Sequence, residues 1–204
     1  MAFRDRLKTA LEYELPDRVE YLKGWRKIRR LRWQGPRHRP VALMLHHTAG
    51  AATESTNPKA AGNQKGANAG IVNFIQNHYR VPAANFTLDR DGTVYVHSAY
   101  PIWHAGAGTF SGKKPWGKWL GVKPGRGNDY MMGVEIVSRG RRKDFTSAQI
   151  QSLERLQEAV GRAAGWPKNK RRAKVRRPRH SDWTRRKIDI LYTHKEIDRW
   201  MGSR

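Results

Sequence analysis

The 204-residue chain has no cysteine, which excludes disulfides and any metal site built from thiolates. Acidic residues are scarce: 17 Asp and Glu stand against 41 Lys and Arg, giving a formal net charge of +24. Long apolar runs are also missing, and no stretch reaches the roughly 18 consecutive apolar residues of a membrane span. The excess positive charge attracts polyanions, so nucleic acid, anionic wall polymer and phospholipid surfaces are all candidate partners.

The positive charge begins in an N-terminal extension. Apolar residues recur at helical spacing over residues 1–15 and Pro16 follows, which predicts a short amphipathic helix. No acidic residue occurs between Tyr21 and Thr53, where basic residues and two tryptophans accumulate. We therefore divide the chain into a basic helical extension, residues 1–37, and a main domain, residues 38–204. The tryptophans either pack on the main domain or form a contact surface for an anionic partner.

Two histidines follow a short apolar run. Residues 41–45 are five consecutive apolar residues, which predicts a buried strand because the run is too short for a helical face. His46 and His47 stand at its end. Side chains alternate along a strand, so His46 shares a face with Met44 and His47 lies on the other face. Only one imidazole can serve a given site, and the alternative is a purely structural histidine pair.

Further groups suited to metal chemistry lie downstream. Residues 131–138 predict a second apolar strand, in which Glu135 projects to the face opposite its apolar neighbours. A carboxylate in such a strand is rarely there for packing. Near the C-terminus, one short segment contains both His180 and Asp189. Two histidines and one carboxylate are a recurring ligand set for catalytic zinc, with the fourth position left for water, and His46 would complete that set.

The remaining patterns predict the scaffold. Apolar residues at helical spacing predict a helix at residues 71–78, and Asp91–Gly92 predicts the turn of a β-hairpin at residues 85–96. A capping box at Thr146 opens a second helix, which ends at Gly165. Together these elements predict an α/β fold with a mixed central β-sheet flanked by helices.

Five motifs in chain order resemble one family. They are HHTAG, NFTLDRDGTVYV, WHAGAG, GVEIVSRG, and HSD with a following Lys-x-Asp, and they span residues 38–192. This combination resembles the zinc-dependent N-acetylmuramoyl-L-alanine amidases, which include amidase-type phage endolysins and share their fold with peptidoglycan recognition proteins. The resemblance implies a zinc ion (Zn2+) bound by His46, His180 and Asp189. It also implies catalytic roles for Glu135 and Lys187.

Other residues of the motifs are expected to contact substrate or to support the metal ligands: His47, Thr48, Trp103 and His104. The sequence departs from its relatives at two places. Ala84 and Asn85 stand where some relatives have a tyrosine, which places more of the catalysis on Glu135. Ile190 stands where relatives often have proline, so Asp182 and His194 are the alternative ligands should Asp189 fail.

The resemblance implies a peptidoglycan hydrolase that cleaves the amide between N-acetylmuramic acid and L-alanine. A bacteriophage lysin is expected, acting as a monomer in bacteriolysis. Because residues 1–23 lack the apolar core of a signal peptide, we expect it to stay in the host cytoplasm until lysis or to travel in the virion. Its basic extension would contact anionic wall polymer or membrane.

Two alternatives belong to other classes of protein. One is a non-catalytic module that binds peptidoglycan without cutting it, or a virion-associated wall-binding protein. The other is a nucleic-acid-binding protein, which the net charge and the tryptophans in basic runs favour. No DNA-reading pattern accompanies the charge, so we expect no specific nucleic-acid partner.

Overall fold

The computed structural model describes residues 1–27, 32–48, 69–77, 82–104, 127–138, 146–166 and 190–192. The helices are α1 (Phe3–Glu14), α2 (Ala69–Asn77), α3 (Gly127–Tyr130) and α4 (Ser147–Ala164). The strands are β1 (Val19–Tyr21), β2 (Ala42–His47), β3 (Phe86–Leu88), β4 (Val94–Val96), β5 (Met131–Ile136) and β6 (Ile190–Tyr192). Among these helices, none has the length and apolar character needed to cross a membrane.

The six strands form one mixed sheet in the order β1-β4-β3-β5-β2-β6. The pairs β1–β4, β3–β5 and β5–β2 are parallel, whereas β3–β4 and β2–β6 are antiparallel. Helices pack against this sheet, so the predicted α/β class with a mixed central sheet is confirmed. The central strands β5 and β2 each have six residues and form the longest register of the sheet.

The two faces of the sheet bury different groups. Leu43 and Leu45 of β2 belong to the main hydrophobic core, which also contains Val134 of β5 and the inward residues of α1 and α4. On the opposite face, Ala42 and Met44 form a smaller cluster with Tyr130 and Met131. Side chains therefore alternate along β2 as the apolar run predicts, and the face opposite α1 and α4 is the one that includes His46.

Local sequence signals account for the hairpin and the long helix. Strands β3 and β4 pair antiparallel on either side of Gly92, whose φ of 90° suits only glycine. Helix α4 begins with a full capping box between Thr146 and Gln149 and ends at Gly165 in the left-handed conformation. The predicted hairpin and the predicted helix are confirmed.

The N-terminal segment is part of the same core. The predicted helix is α1, whose Leu7 and Leu11 are fully buried, and β1 extends the sheet by pairing with β4. Trp25 and Trp33 are buried as well, so both tryptophans pack on the rest of the protein. The division of the chain at residue 37 stays a prediction, but the described residues on both sides share one hydrophobic core.

Candidate metal and catalytic site

A row of polar side chains crosses the centre of the sheet. In the parallel register, His46 of β2 is paired with Glu135 of β5, and Glu135 is paired with Thr87 of β3. Paired residues on neighbouring strands share a face and lie about 4.8 Å apart in the hydrogen-bonding direction. His46 is 7% exposed, whereas Glu135 is partly exposed. Two of the predicted site residues are thus brought together on the face opposite α1 and α4.

His104 lies directly against His46. Its Nδ1 is 3.3 Å from Nε2 of His46, and the two rings meet edge to face with their centroids 5.5 Å apart. The other ring nitrogen of His104, Nε2, is 2.8 Å from the carbonyl oxygen of Met131. The backbone N–H of His104 donates to Oδ1 of Asn128 at 2.9 Å. The ring is therefore held between β2 and the start of β5.

The absence of a side chain at Gly133 makes room for this ring. A Cβ at position 133 would lie 2.7 Å from both Cβ and Nδ1 of His104, closer than real Cβ contacts allow. The fully buried Asn85 fixes the surroundings: its Oδ1 accepts from the N–H of Gly133 at 2.9 Å. Its Nδ2 donates to the carbonyl oxygens of Ser98 and Tyr100. Asn85 thus links β5 to the segment that leads to His104.

A second buried histidine, His97, is hydrogen-bonded to Thr87 of this polar row. The hydroxyl of Thr87 donates to Nε2 of His97 at 2.8 Å, and Nδ1 of His97 donates to Oε1 of Gln76 at 2.6 Å. Burial lowers the pKa of His97 to about 3, so this imidazole is neutral at ordinary pH. Sequence reasoning missed Thr87 and Gln76. Strand alternation alone could have placed Thr87 on the face of Glu135, whereas nothing local indicates the contact with Gln76.

The remaining predicted substrate contacts differ in their surroundings. The hydroxyl of Thr48 donates to the carbonyl oxygen of Ser138 and accepts from its N–H, at 3.4 and 3.3 Å, which ties the end of β2 to the end of β5. Trp103 is 52% exposed beside His104. His47 is paired with Ile136 in the backbone register, and its side chain lies outside the described part of the structure. The substrate roles of all these residues stay predictions.

Several predicted residues lie outside the described ranges: His180, Lys187 and Asp189, together with the alternatives Asp182 and His194. In the parts of the chain that are described, no group of three or more His, Asp or Glu side chains is placed to hold a metal ion. Asp189 is bonded to Ile190, which is paired with Leu45, the residue before His46.

The chemistry of the described part of this site fits zinc. Zinc in catalytic sites accepts imidazole nitrogen and carboxylate oxygen, and His46 offers an imidazole whose orientation is fixed by His104. Ligating histidines characteristically donate the N–H of their second ring nitrogen to a hydrogen-bond acceptor. Glu135, which is paired with His46 across the two strands, adds a carboxylate beside that imidazole.

Comparison with known proteins identifies the family of the chain. The sequence model of the Amidase_2 family, described as N-acetylmuramoyl-L-alanine amidase, matches residues 36–191. No curated protein matches the chain significantly. Among solved structures, the chain is similar to a crystal structure of a selenomethionine AmpD derivative, with 20% sequence identity and a TM-score of 0.42 over 72% of this chain and 76% of that one. Because the family match covers most of its length, the chain belongs to the N-acetylmuramoyl-L-alanine amidase family.

Proposed function

We propose that this protein is a zinc-dependent amidase that cleaves the bond between the lactyl group of N-acetylmuramic acid and L-alanine in peptidoglycan. Family membership supports a peptidoglycan amidase. The observation that carries the proposal further is the register that pairs His46 with Glu135. It puts the imidazole that we propose as a metal ligand beside the carboxylate that we propose as the base, on one face of the sheet.

The zinc ion would be held by His46, His180 and Asp189. When bound, zinc in such a site polarises the scissile carbonyl and lowers the pKa of its water to about 7. Asp189 directly precedes Ile190 in the sequence, and Ile190 is paired with Leu45, the residue before His46. This pairing supports the choice of Asp189 as the third ligand. Because the chain has no cysteine, imidazole nitrogen and carboxylate oxygen are the ligand types that remain for zinc.

Glu135 is the general base in this mechanism. Its carboxylate accepts a proton from the attacking water and passes it to the departing amine of L-alanine, a role that typically contributes about 10²–10⁴-fold. Glu135 is partly exposed at the surface of the sheet, so its carboxylate can reach a bound substrate. The cation of Lys187 would stabilise the negative charge that builds on the carbonyl oxygen.

The biological role proposed is that of a bacteriophage lysin that acts on the host wall as a monomer, from the host cytoplasm or as part of the virion. The net charge of +24 supports action at an anionic surface, because such a field attracts wall polymers and membrane phospholipids. A module that binds peptidoglycan without cleaving it is the competing function. The carboxylate beside His46 favours the enzyme, because binding alone does not require a base there.

Purified protein incubated with bacterial cell walls tests this proposal. We expect release of new L-alanine amino termini, loss of that release in a chelator, and recovery when zinc is restored. Glu135→Gln should lower the rate at least about 100-fold, as loss of a general base does, while zinc stays bound. The matched control is Glu12→Gln, which changes an exposed carboxylate on α1.

Two results would reject the zinc amidase. Cleavage that persists unchanged in chelator would remove the metal from the mechanism. Tight binding to cell walls with no release of amino termini would identify a recognition module. Lysis of bacterial cells on addition of the protein, measured by turbidity, would support the lysin role separately.

A further inference from the structure

We infer that His104 is a positioning residue that fixes the tautomer of His46, so that Nδ1 of His46 is the atom that binds the metal. Sequence reasoning gave His104 only a general role in substrate contact or support. The part of this inference that concerns the metal rests on the proposed function. The part that concerns the tautomers rests on the hydrogen bonds alone.

The proton positions follow from the contacts of His104. The carbonyl oxygen of Met131 can only accept a hydrogen bond, so Nε2 of His104, at 2.8 Å, carries the proton. In its neutral form the imidazole of His104 has only this one N–H, which leaves the lone pair on Nδ1. That lone pair faces Nε2 of His46 at 3.3 Å. Nε2 of His46 therefore donates, and the lone pair of the His46 ring is on Nδ1.

The surroundings of His104 hold its ring in this orientation. Asn128 accepts a hydrogen bond from the backbone N–H of His104. Gly133 packs so closely against the ring that any side chain at position 133 would collide with it. Asn85 anchors both Gly133 and the chain before His104. Because β5 supplies Met131 and Gly133, the strand that contains Glu135 also sets the orientation of the metal-binding imidazole.

Fixing the tautomer in advance has a direct benefit for metal binding. A ligand histidine must present a lone pair, and a hydrogen bond at its second nitrogen selects the tautomer and raises the basicity of the first. Loss of such a partner typically weakens metal affinity or activity about 10- to 100-fold. His104 acts on the metal only through His46, so its effect differs from that of a substrate contact.

The first test reads the tautomers directly in the metal-free protein. Two-bond ¹H–¹⁵N correlation spectra of ¹⁵N-histidine-labelled protein distinguish protonation at Nδ1 from protonation at Nε2. Single His46→Gln and His104→Gln variants assign the two rings. We expect both His46 and His104 to be protonated at Nε2. Protonation of His46 at Nδ1 would overturn the inference, whether or not the protein proves to be a zinc enzyme.

The second test compares two replacements of His104. In His104→Asn the side-chain oxygen takes the place of Nδ1 and can still accept from His46, whereas His104→Phe fills the space without an acceptor. Zinc affinity, measured by competition with a chromophoric chelator, should fall about 10- to 100-fold in the Phe variant and recover in the Asn variant. Equal affinities in wild type and both variants would overturn the positioning role.

A third variant guards against misfolding of the Phe protein. Gly133→Ala leaves both histidines in place but puts a methyl group 2.7 Å from Nδ1 of His104. We expect weaker zinc binding and a changed His46 tautomer signal in this variant, with α4 and the hairpin intact by circular dichroism. An unchanged tautomer signal would show that the ring position does not control His46. Wild type that binds no zinc would reject the proposed function while leaving the tautomer measurement to decide on the hydrogen bonds.

Discussion

Arg162 of α4 donates to the buried carboxylate of Glu14 of α1, with 2.6 Å between Nη2 and Oε1. Glu14 is 6% exposed, and Arg155 donates to its backbone carbonyl oxygen. The guanidinium of Arg162 also lies over the ring of Tyr13 at 4.8 Å. These contacts join α1, which precedes the family match at residues 36–191, to a helix inside that match.

Replacement of Glu14 should weaken this junction. Glu14→Gln removes the charge that Arg162 contacts, and we expect the free energy of unfolding to fall by about 1–2 kcal/mol, because Arg162 is itself partly solvated. Urea denaturation measures the change. Lys8→Met is the control, since the exposed pair Lys8–Glu12 should contribute less than about 0.5 kcal/mol. Equal effects of the two variants would contradict a special role for Glu14.

The N-terminal helix should be essential to the stability of the whole domain. Leu11 is fully buried in the core that also contains residues of β2, β5 and α4. Leu11→Ala should lower the free energy of unfolding by about 2–5 kcal/mol, as cavities in cores do. Glu12→Ala, at an exposed neighbouring position, should change it by less than about 0.5 kcal/mol. A small effect of Leu11→Ala would mean that α1 is an independent appendage.

The buried His97 predicts a specific acid sensitivity. Its pKa is lowered from 6.5 to about 3 in the folded protein, so the unfolded chain binds the extra proton between these values. Its contribution to stability is complete above pH 6.5 and is lost as pH falls toward 3. We expect this one group to remove about 2 kcal/mol of unfolding free energy between about pH 7 and about pH 5.

Urea denaturation at the two pH values measures this loss in wild type and in His97→Gln. The glutamine variant should be less stable at neutral pH, because it loses the hydrogen bonds to Thr87 and Gln76. Its stability should nevertheless depend less steeply on pH. A pH dependence as steep as that of wild type would show that His97 is not the group responsible.

Trp103 should contribute to substrate binding rather than to folding. Its side chain is 52% exposed next to His104, where a flat indole can stack on a sugar or peptide. Trp103→Ala should weaken binding to peptidoglycan fragments by about 0.5–1.5 kcal/mol, as loss of aromatic stacking does, with little change in unfolding free energy. Trp103→Phe should keep part of the affinity. Calorimetric titration of the Glu135→Gln background separates binding from cleavage, and undiminished binding by Trp103→Ala would refute the role.

Local patterns predicted most of the scaffold. The apolar run of β2, the Asp91–Gly92 turn and the capping box at Thr146 each fix an element through neighbouring residues alone. Strands β1 and β6 were not predicted because each has only three residues, too few to show a period, and neither is joined to its partner by a tight turn like that at Asp91–Gly92. Their assignment depends on pairing with β4 and β2, which is a property of the whole fold.

The candidate site was predictable only in part. Strand alternation placed His46 and Glu135 on the faces where the structure has them, but it could not show that the two residues are paired in register. The contact between His46 and His104 joins residues 58 positions apart and depends on the missing side chain at Gly133. Nothing in the sequence distinguishes Gly133 from other residues of the strand. The close packing of His104 against it is evident only in the folded structure.

The backbone N–H of His104 donates a hydrogen bond to the side-chain oxygen of Asn128, which lies 24 positions later in the chain. His104 and Asn128, which flank residues 105–126 in the sequence, are thus fixed relative to each other. We expect insertions, deletions and changes of composition within this stretch to leave the imidazole undisturbed. Segments of different length or composition grafted between His104 and Asn128 should therefore leave the hydrogen bonds of His104 unchanged.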